Sequence, residues 1–347
     1  MQEPAESERE GVARLTRPHG HDIVVIGASA GGIEALSQIV ELLPEDLPAA
    51  VLVTVHLAPD AHSALPAILG RKGLLPAVEL EDGMPLGQGR LYVAPPNRHL
   101  LIDDGHIRLS RGPRENGHRP AIDPLFRTAA RTYGARVVAV ILSGNLGDGT
   151  LGLKSVHAHG GVAIVQDPDD ALHPSMPTHA IALDEPDYVL PASEIAAVIT
   201  HLALEPAAGR QRPDANGASD SYEDGDIAEI SCPECGGPIW EIPQGEGSRY
   251  LCRTGHSFTA ESLFTTQSEG LESALWTAIR VLQERRDLAI RIAERLEARG
   301  AELAARRFRM NADDTTQHED VLRRVVENVD ALADTTVDDS RAEAAAE

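Results

Sequence analysis

Short apolar runs rich in β-branched residues recur from Asp22 to about Leu204, and this alternation constrains the fold more than any other feature of the chain. Each run is apolar at successive positions, which is typical of a strand buried on both faces. Stretches with helical spacing separate the runs. The pattern predicts an α/β fold with a doubly wound, mostly parallel, Rossmann-like sheet between two layers of helices. The predicted strands are IVVIG at 23–27, AVLVTV at 50–55, RLYVAP at 90–95, RVVAVILSG at 136–144 and VAIVQ at 162–166.

Changes in composition divide the rest of the chain. One segment of the α/β region, 90–110, contains the turn former Asp103-Asp104-Gly105 and predicts a hairpin. Segments rich in Pro, Gly, Ser, Asn and Asp bury too little apolar surface to order themselves. The predicted organisation is a disordered tail at 1–20, a catalytic α/β domain at 21–204, a flexible linker at 205–228, a cysteine-bearing module at 229–258, a helical extension at 259–335 and a second disordered tail at 336–347.

The charge of the chain excludes several classes of protein. Acidic residues number 54 and basic residues 31, a net charge of −23. Nucleic-acid binders and proteins held on anionic lipid need the opposite sign. No apolar run approaches the roughly 18 residues of a membrane-spanning helix. The N-terminal MQEPAESERE lacks the basic and apolar regions of a signal peptide, so we expect a cytoplasmic protein without membrane insertion.

A G-x-S-x-G sequence, Gly27-Ala28-Ser29-Ala30-Gly31, follows the first predicted strand and precedes a helix. That context is typical of a nucleophile elbow, in which the serine hydroxyl projects from a sharp turn beside free backbone N–H groups. A glycine-rich phosphate loop is the alternative. Ser29 occupies the second glycine position of the dinucleotide motif, and no acidic residue ends a strand about 20 residues later, which argues against a nucleotide-binding oxidoreductase.

A base and an acid for Ser29 follow two other predicted strands. His56 ends the run VLVTVH, and Asp148 follows VVAVILSG. Strand ends of a parallel sheet converge on one crevice, so the three side chains can form a nucleophile, a general base and an orienting carboxylate. The alternatives are a histidine in a polar loop and an aspartate that caps the next helix.

These motifs resemble the CheB-type protein-glutamate methylesterases. The resemblance begins at VVIGASAGGIEAL and continues through TVHLAP, RLYVAPPNRHL, NGHRPAIDPLFRTAA, VILSGNLGDGTLGL, IVQDP and MPTHAI, over about residues 22–204. It implies hydrolysis of glutamate γ-methyl esters on chemoreceptors, and glutamine deamidation, opposite a receptor methyltransferase. It also implies that Ser29 is the nucleophile, His56 the base and Asp148 the acid, with no cofactor for catalysis.

The chain departs from this family in three ways. Only about 20 residues precede the first strand, so we expect no receiver domain in cis. Ala30 stands where the family has Thr, and Asn145-Leu146 replaces Met-Gly in the family pattern T-G-M-G-x-D-G. These departures leave a second hypothesis open, a signalling scaffold that keeps the esterase fold with little or no activity.

The three cysteines of the chain cluster with a histidine. Cys232 and Cys235 form C-x2-C, and Cys252 and His256 form C-x3-H after residues 236–251. Three thiolates and an imidazole suit a closed tetrahedral zinc site, and the apolar residues between the pairs predict two short strands of a zinc ribbon. A redox C-x-x-C is the alternative. Because four ligands leave no open position, we expect a structural Zn²⁺ whose removal leaves hydrolysis largely intact.

The helical extension carries an apolar stripe at intervals of three, four or seven residues. A shorter stripe follows at Val321, Val325, Val329 and Leu332. Two such stripes fit either an intramolecular helix hairpin or a seam between two copies of the chain. The members of the first stripe are Leu271, Leu275, Ile279, Leu282, Ala289, Ile292 and Leu296.

Overall fold

Seven parallel strands form the central sheet of a computed structural model that describes residues 20–58, 64–207, 225–244 and 247–343. In chain order they are β1 (Ile23–Ala28), β2 (Ala50–Val55), β3 (Ala77–Val78), β4 (Arg90–Val93), β7 (Val137–Ile141), β8 (Val162–Gln166) and β9 (Tyr188–Leu190). Their order across the sheet is β3-β4-β2-β1-β7-β8-β9. The five predicted strands are confirmed, and the structure adds β3 and β9, two short edge strands.

Helices cover both faces of this sheet, as the uninterrupted apolar strands predict. One face packs against α1 (Gly32–Leu42), α2 (Leu65–Lys72) and α6 (Ala192–Leu204). The other packs against α3 (Ile122–Tyr133), α4 (Thr150–Ala158) and α5 (Ser175–Leu183). Alternate residues of β1 enter the two cores, with Val24 and Ile26 on one side and Ile23 and Val25 on the other. The predicted doubly wound α/β fold is confirmed.

The predicted hairpin is also present. Strands β5 (His99–Asp103) and β6 (His106–Ser110) pair antiparallel and pack on the α3 side of the sheet. Asp104 and Gly105 both have positive φ, 42° and 80°, the conformation of a type I′ turn.

A second, antiparallel sheet follows, which we call the ribbon module. It consists of β10 (Asp226–Ser231), β11 (Pro238–Gln244), β12 (Gly247–Cys252) and β13 (Ser257–Phe258), paired in that order. The two predicted strands correspond to β11 and β12. Strand β10 begins inside the predicted 205–228 linker, and residues 208–224 of that linker lie outside the described residues. So do residues 1–19 of the predicted N-terminal tail.

Two long helices complete the chain, α7 (Ala260–Glu297) and α8 (Glu302–Glu343). The structure divides into two units at Leu263/Phe264. Within the second unit, Glu319 of α8 accepts hydrogen bonds from Gln283 and Arg286 of α7, at 2.7 and 2.9 Å. These bonds are those of an intramolecular hairpin.

The C-terminal helix differs from the sequence expectation in two respects. It continues to Glu343 rather than ending at 335, so residues 336–343 of the predicted C-terminal tail are helical. Val321 and Val325 are 48% and 40% exposed, and small residues such as Ala305 and Ala312 occupy the buried face of α8 instead. Within the described residues, no helix is both long enough and apolar enough to cross a membrane.

The first glycine of the G-x-S-x-G sequence carries a prediction about stability. A methyl group on Gly27 would overlap the side chain of Ile122, because β1 and α3 approach closely there. We expect Gly27→Ala to lower the free energy of unfolding by about 1–3 kcal/mol through overpacking. Gly87→Ala is the matched control, since the added methyl would lie 3.4 Å from its nearest neighbour. Denaturant unfolding measures both variants, and equal losses would contradict the packing argument.

Candidate active site

The three sequence-predicted catalytic residues meet at the carboxyl edge of the central sheet. Ser29 follows β1, His56 follows β2, and Asp148 lies in the loop after β7. Strand β1 pairs with β2 on one side and β7 on the other, so the winding direction of the sheet reverses at this point. Such a switch point opens a crevice at the strand ends. The topology therefore brings together residues that are far apart in the chain.

The turn after β1 depends on residues without bulky side chains. Gly31 has a φ of 67°, and a methyl group there would lie 2.7 Å from Leu172. A methyl group on Gly32 would lie 2.6 Å from the Cβ of Ala28. The backbone N–H of Ser29 donates to the carbonyl of Ser143 at 3.0 Å. The glycines thus permit the tight turn that presents the Ser29 hydroxyl at the start of α1.

A continuous hydrogen-bonded chain joins the three side chains. The Oγ of Ser29 lies 3.0 Å from the Nδ1 of His56, and the Nε2 of His56 lies 2.7 Å from Oδ2 of Asp148. Since an ionised carboxylate only accepts hydrogen bonds, the neutral imidazole carries its proton on Nε2. Nδ1 is then free to accept the proton of the serine hydroxyl. The arrangement is that of a nucleophile, a base and an orienting acid.

Asp148 is 1% exposed, yet its carboxylate is well provided with donors. Oδ2 accepts from the backbone N–H of Ile122 at 2.7 Å, and Oδ1 accepts from that of Asp123 at 3.3 Å. These two N–H groups belong to the first turn of α3, whose positive end stabilises an anion. Gly149, not Asp148, is the N-cap residue of α4. Burial alone raises the pKa of Asp148, but the hydrogen bond and charge of His56 together with the Ile122 N–H hold it below its usual range.

A second carboxylate, Asp123, is buried beside Asp148. Its Oδ1 accepts a hydrogen bond from the backbone N–H of Gly152 at 2.6 Å, so it pairs with a free N–H group in the first turn of α4. Burial, and then the negative charge of Asp148, raise the pKa of Asp123 to about 7. An Asp-Pro pair such as Asp123-Pro124 is typical of the start of a helix, with the aspartate as its cap. Asp123 does not have that role here, because α3 begins at Ile122 and its N-cap is Ala121.

Asn116 joins the two carboxylates. Its Nδ2 donates to Oδ1 of Asp148 at 2.9 Å and to Oδ2 of Asp123 at 3.0 Å. Asn116 is 4% exposed and has a φ of 51°, followed by Gly117 at 76°. The sequence analysis missed this residue. Asn-Gly is a strong signal for a type I′ turn, and that local role hides the contacts the side chain makes in the folded protein.

His118 stacks on His56. The ring centroids of His56 and His118 are 3.6 Å apart and the rings are nearly parallel, at 13°. Burial, with a smaller contribution from the charge of His56, lowers the pKa of His118 to about 4. The stacked ring is therefore neutral at physiological pH. It forms a wall of the site that keeps the imidazole of His56 in its plane.

The loop that carries Asp148 contains Asn145 and Leu146, two of the three residues at which the chain departs from the pattern of the family it resembles. Leu146 has a φ of 63°, a left-handed conformation that costs a residue with a side chain roughly 1–2 kcal/mol. A glycine adopts this conformation without strain, which explains its place in the family pattern. Asn145 is exposed, so its side chain leaves the buried chain of catalytic residues undisturbed. Met176 packs against Gly144 beside Ser29. A methyl group on Gly144 would lie 2.7 Å from Cε of Met176 and 2.8 Å from Cβ of Ser29.

Two backbone N–H groups beside Ser29 have no acceptor within the described residues. In the part of the chain that the structure describes, no acceptor pairs with the N–H of Ala30 or of Gly31, the two residues between Ser29 and α1. Their position beside the nucleophile and at the positive end of a helix suits the stabilisation of a developing oxyanion.

The cysteines and His256 converge in the ribbon module, as the sequence predicts. The ligand atoms of Cys232, Cys235, Cys252 and His256 all lie within 4.8 Å of one another. The Sγ atoms of Cys235 and Cys252 are 3.7 Å apart, and Nδ1 of His256 lies 3.7 and 3.5 Å from Sγ of Cys232 and Cys252. Tetrahedral zinc with bonds of about 2.3 Å to sulfur and about 2.0 Å to nitrogen requires separations of about 3.8 and 3.5 Å. The donor set fits that ion.

The stacked His118 predicts a specific pH dependence of stability. Between pH 6.5 and 4 the unfolded chain binds a proton at this position that the folded protein excludes, so stability falls as the pH falls. The slope is at most about 1.4 kcal/mol per pH unit. We expect His118→Phe, which keeps a flat ring on His56, to reduce this loss in denaturant unfolding at pH 7 and pH 5. The exposed His106→Gln is the control, and an unchanged loss in His118→Phe would refute the assignment.

Comparison with known proteins identifies the family of the α/β domain. Residues 24–199, just over half of the chain, match the family model described as CheB methylesterase. The crystal structure of the Thermotoga maritima CheB methylesterase catalytic domain superposes with a TM-score of 0.50 and 35% sequence identity, over 52% of this chain and 98% of that one.

Curated relatives carry names that agree with this family match. A protein-glutamate methylesterase/protein-glutamine glutaminase 2 of Anaeromyxobacter dehalogenans is 38% identical over 181 residues, which cover 52% of this chain and 53% of the relative. The chain therefore spans about half the length of that relative. A putative protein-glutamate methylesterase/protein-glutamine glutaminase of Leptospira interrogans is 38% identical over 183 residues and is covered over 95% of its length. By its family match, its relatives and its fold, the chain belongs to the CheB methylesterase family.

Proposed function

We propose that this chain hydrolyses γ-methyl esters of protein glutamate residues by acyl transfer through Ser29, His56 and Asp148. The observation that carries the proposal is the hydrogen-bonded chain from Ser29 Oγ through both nitrogens of His56 to Asp148 Oδ2, at 3.0 and 2.7 Å. The names of the relatives supply the substrate class. A scaffold without activity would not need this chain of contacts, so its integrity favours the enzyme.

The first half of the reaction forms an acyl-enzyme. Ser29 Oγ attacks the ester carbonyl carbon while Nδ1 of His56 accepts the hydroxyl proton. The bond to the methoxy group then breaks, and His56 returns that proton so that methanol leaves. Asp148 keeps the imidazole oriented and stabilises the imidazolium that forms. The backbone N–H groups of Ala30 and Gly31 hold the negative oxygen of the tetrahedral intermediate.

The second half restores the enzyme. Water enters the crevice and attacks the acyl carbon while His56 accepts one of its protons. The bond between the acyl carbon and Ser29 Oγ then breaks, His56 returns the proton to Oγ, and the product leaves as a glutamic acid side chain that ionises to the carboxylate. A glutamine side chain follows the same steps with ammonia in place of methanol. Glutaminase activity therefore needs no additional residue.

We further propose that the substrate is a methylated chemoreceptor or related signalling protein, modified by a methyltransferase that forms the ester this chain hydrolyses. With a net charge of −23, the chain has no general attraction for an acidic, glutamate-rich substrate. A neutral methyl ester carries less charge than the carboxylate product, which favours release of the product from an acidic enzyme.

Removal of a member of the triad tests this function. We expect Ser29→Ala to lower kcat for methanol release from a methylated receptor by at least about 10³-fold, and Asp148→Asn to lower it by about 10²–10⁴-fold. Ser37→Ala, a change of a half-buried serine within α1, is the matched control and should retain full activity. Ester hydrolysis by Ser29→Ala at the wild-type rate would exclude Ser29 as the nucleophile.

We also propose that Cys232, Cys235, Cys252 and His256 hold a structural Zn²⁺. The donor separations match a tetrahedral zinc sphere, and the four strands around the site are too few to support a core of their own. Two tight turns, which place Gly236 and Gly255 at φ values of 70° and 100°, bring the ligand pairs together. Bound metal contributes folding free energy to a module of this size.

The metal site has a direct test, because the three cysteines of the site are all the cysteines of the chain. We expect purified protein to contain one zinc per chain by elemental analysis and its thiols to react slowly with a thiol reagent. Chelation should release the zinc and expose three reactive thiols. Three reactive thiols in protein that never contained metal, or a disulfide, would contradict the proposal.

A further inference from the structure

We propose that the ribbon module is a working part of the esterase site, and that Asn116 is the positioning residue through which the module and its metal hold Asp148 in place. This inference rests on the proposed triad and extends it. It revises the sequence expectation that removal of the metal leaves hydrolysis intact. The contacts of one turn, residues 113–118, carry the argument.

Every polar group of the Asn116 side chain is used. Both Nδ2 hydrogens go to carboxylates, those of Asp148 and Asp123, and Oδ1 accepts the backbone N–H of Thr259 at 2.8 Å. The backbone N–H of Asn116 donates to the carbonyl of Ser257 at 2.7 Å. One buried side chain therefore spans the distance between the catalytic acid and the end of the ribbon module.

The junction on the module side is the capped start of a helix. Thr259 caps α7, since its Oγ1 accepts the backbone N–H of Ser262 at 3.2 Å. A methyl group on Gly147, the neighbour of Asp148, would lie 3.3 Å from Oγ1 of Thr259. The loop that carries Asp148 thus lies beside the start of this helix, and the Asn116 side chain supplies the hydrogen bonds that connect the two.

Buried ion pairs hold the same turn against the module. Glu115 accepts a hydrogen bond from Arg127 of α3 at 2.8 Å, and its other oxygen lies 3.8 Å from Arg249 of β12. Arg249 also donates to the hydroxyl of Ser257 at 2.7 Å. All three charged side chains are at most 13% exposed. Buried charges persist only where partners compensate them, so this interface is a built contact and not an accidental one.

The proposed metal lies one residue from this junction. His256 is a ligand, and Ser257, whose carbonyl holds Asn116, follows it directly. The ligand Cys252 also donates its backbone N–H to the carbonyl of His256 at 2.9 Å. A metal that restrains His256 and Cys252 therefore restrains the Ser257 carbonyl and the Thr259 N–H.

The contacts of Asn116 affect catalysis through the orientation of Asp148 and His56. Asp148 acts by holding the imidazole of His56 at the angle needed for proton transfer, and Asn116 supplies the donor to the outer oxygen of that carboxylate. Loss of a partner that orients such a group typically costs about 10–100-fold in activity. Because Asn116 touches neither substrate nor nucleophile, the loss should fall on kcat and not on KM.

The test uses the full chain and the variant Asn116→Gly. Glycine keeps the positive φ of the turn and removes only the amide, so the fold of the turn is retained. We expect Asn116→Gly to lower kcat by about 10–100-fold with KM changed by less than about threefold. Arg108→Ala is the control outside this turn, because it removes only an exposed ion pair with Asp82, and it should leave kcat unchanged.

The second arm removes the metal. We expect chelation of the wild-type protein, or Cys235→Ser, to lower kcat to the level of Asn116→Gly, and added Zn²⁺ to restore the chelated protein. In the Asn116→Gly background, metal removal should change kcat by less than about twofold, since the path to Asp148 is already broken. The low-field proton resonance of the His56 Nε2–H reports the same event without turnover, and it should shift or broaden in both cases.

The outcomes separate the two proposals. Wild-type kcat in Asn116→Gly, or an equal loss on metal removal with and without the Asn116 amide, would overturn the positioning role. If those variants are fully active while Ser29→Ala is inactive, only the coupling fails and the esterase assignment stands. Thermal unfolding accompanies each variant. If Cys235→Ser does not fold, reversible chelation of the wild-type protein decides the question.

Discussion

The carboxylate of Asp148 is the point on which the rest of the structure depends. It accepts four hydrogen bonds, from His56, from Asn116 and from the backbone N–H groups of Ile122 and Asp123. These donors come from the end of β2, a turn beside the ribbon module and the first turn of α3. A buried anion is tolerated only with such a set of partners. The same bonds therefore stabilise the charge and assemble the site.

The sheet topology explains why these donors can meet. The order β2-β1-β7 places the ends of three strands side by side at the switch point, and α3 crosses that edge close enough that Gly27 has no room for a side chain. Ser29 and His56 follow their strands directly. The catalytic acid sits further along its loop, and it needs contacts from several elements to hold it.

The ribbon module packs against the α/β domain next to the candidate active site. In the part of the chain that the structure describes, its last strand contacts the turn at 113–118, and the start of α7 contacts the loop of Asp148. An appended module that only tethered the enzyme to a partner would not need to bury a charged network against the catalytic domain. The buried Arg249 and the 13%-exposed Glu115 beside it link the stability of the module to the geometry of the site.

Much of the fold and site follows from local sequence patterns. Apolar runs predicted the five main strands, and the motifs at Ser29, His56 and Asp148 predicted the residues that the structure joins by hydrogen bonds. The zinc-type spacing predicted four converging ligands. The short strands β3 and β9 escaped prediction because two- and three-residue strands have no periodicity to detect.

The sequence by itself determined the chemistry that is available and the main strands whose ends present it. Only the tertiary structure decided which nitrogen of His56 faces the serine, that Leu146 takes a left-handed conformation, and that Asn116 connects a metal-type cluster to the catalytic acid. The physical reason is distance along the chain. Local patterns record backbone propensity and burial, whereas a hydrogen bond between Asn116 and Thr259 exists only after two separately folded segments have packed together.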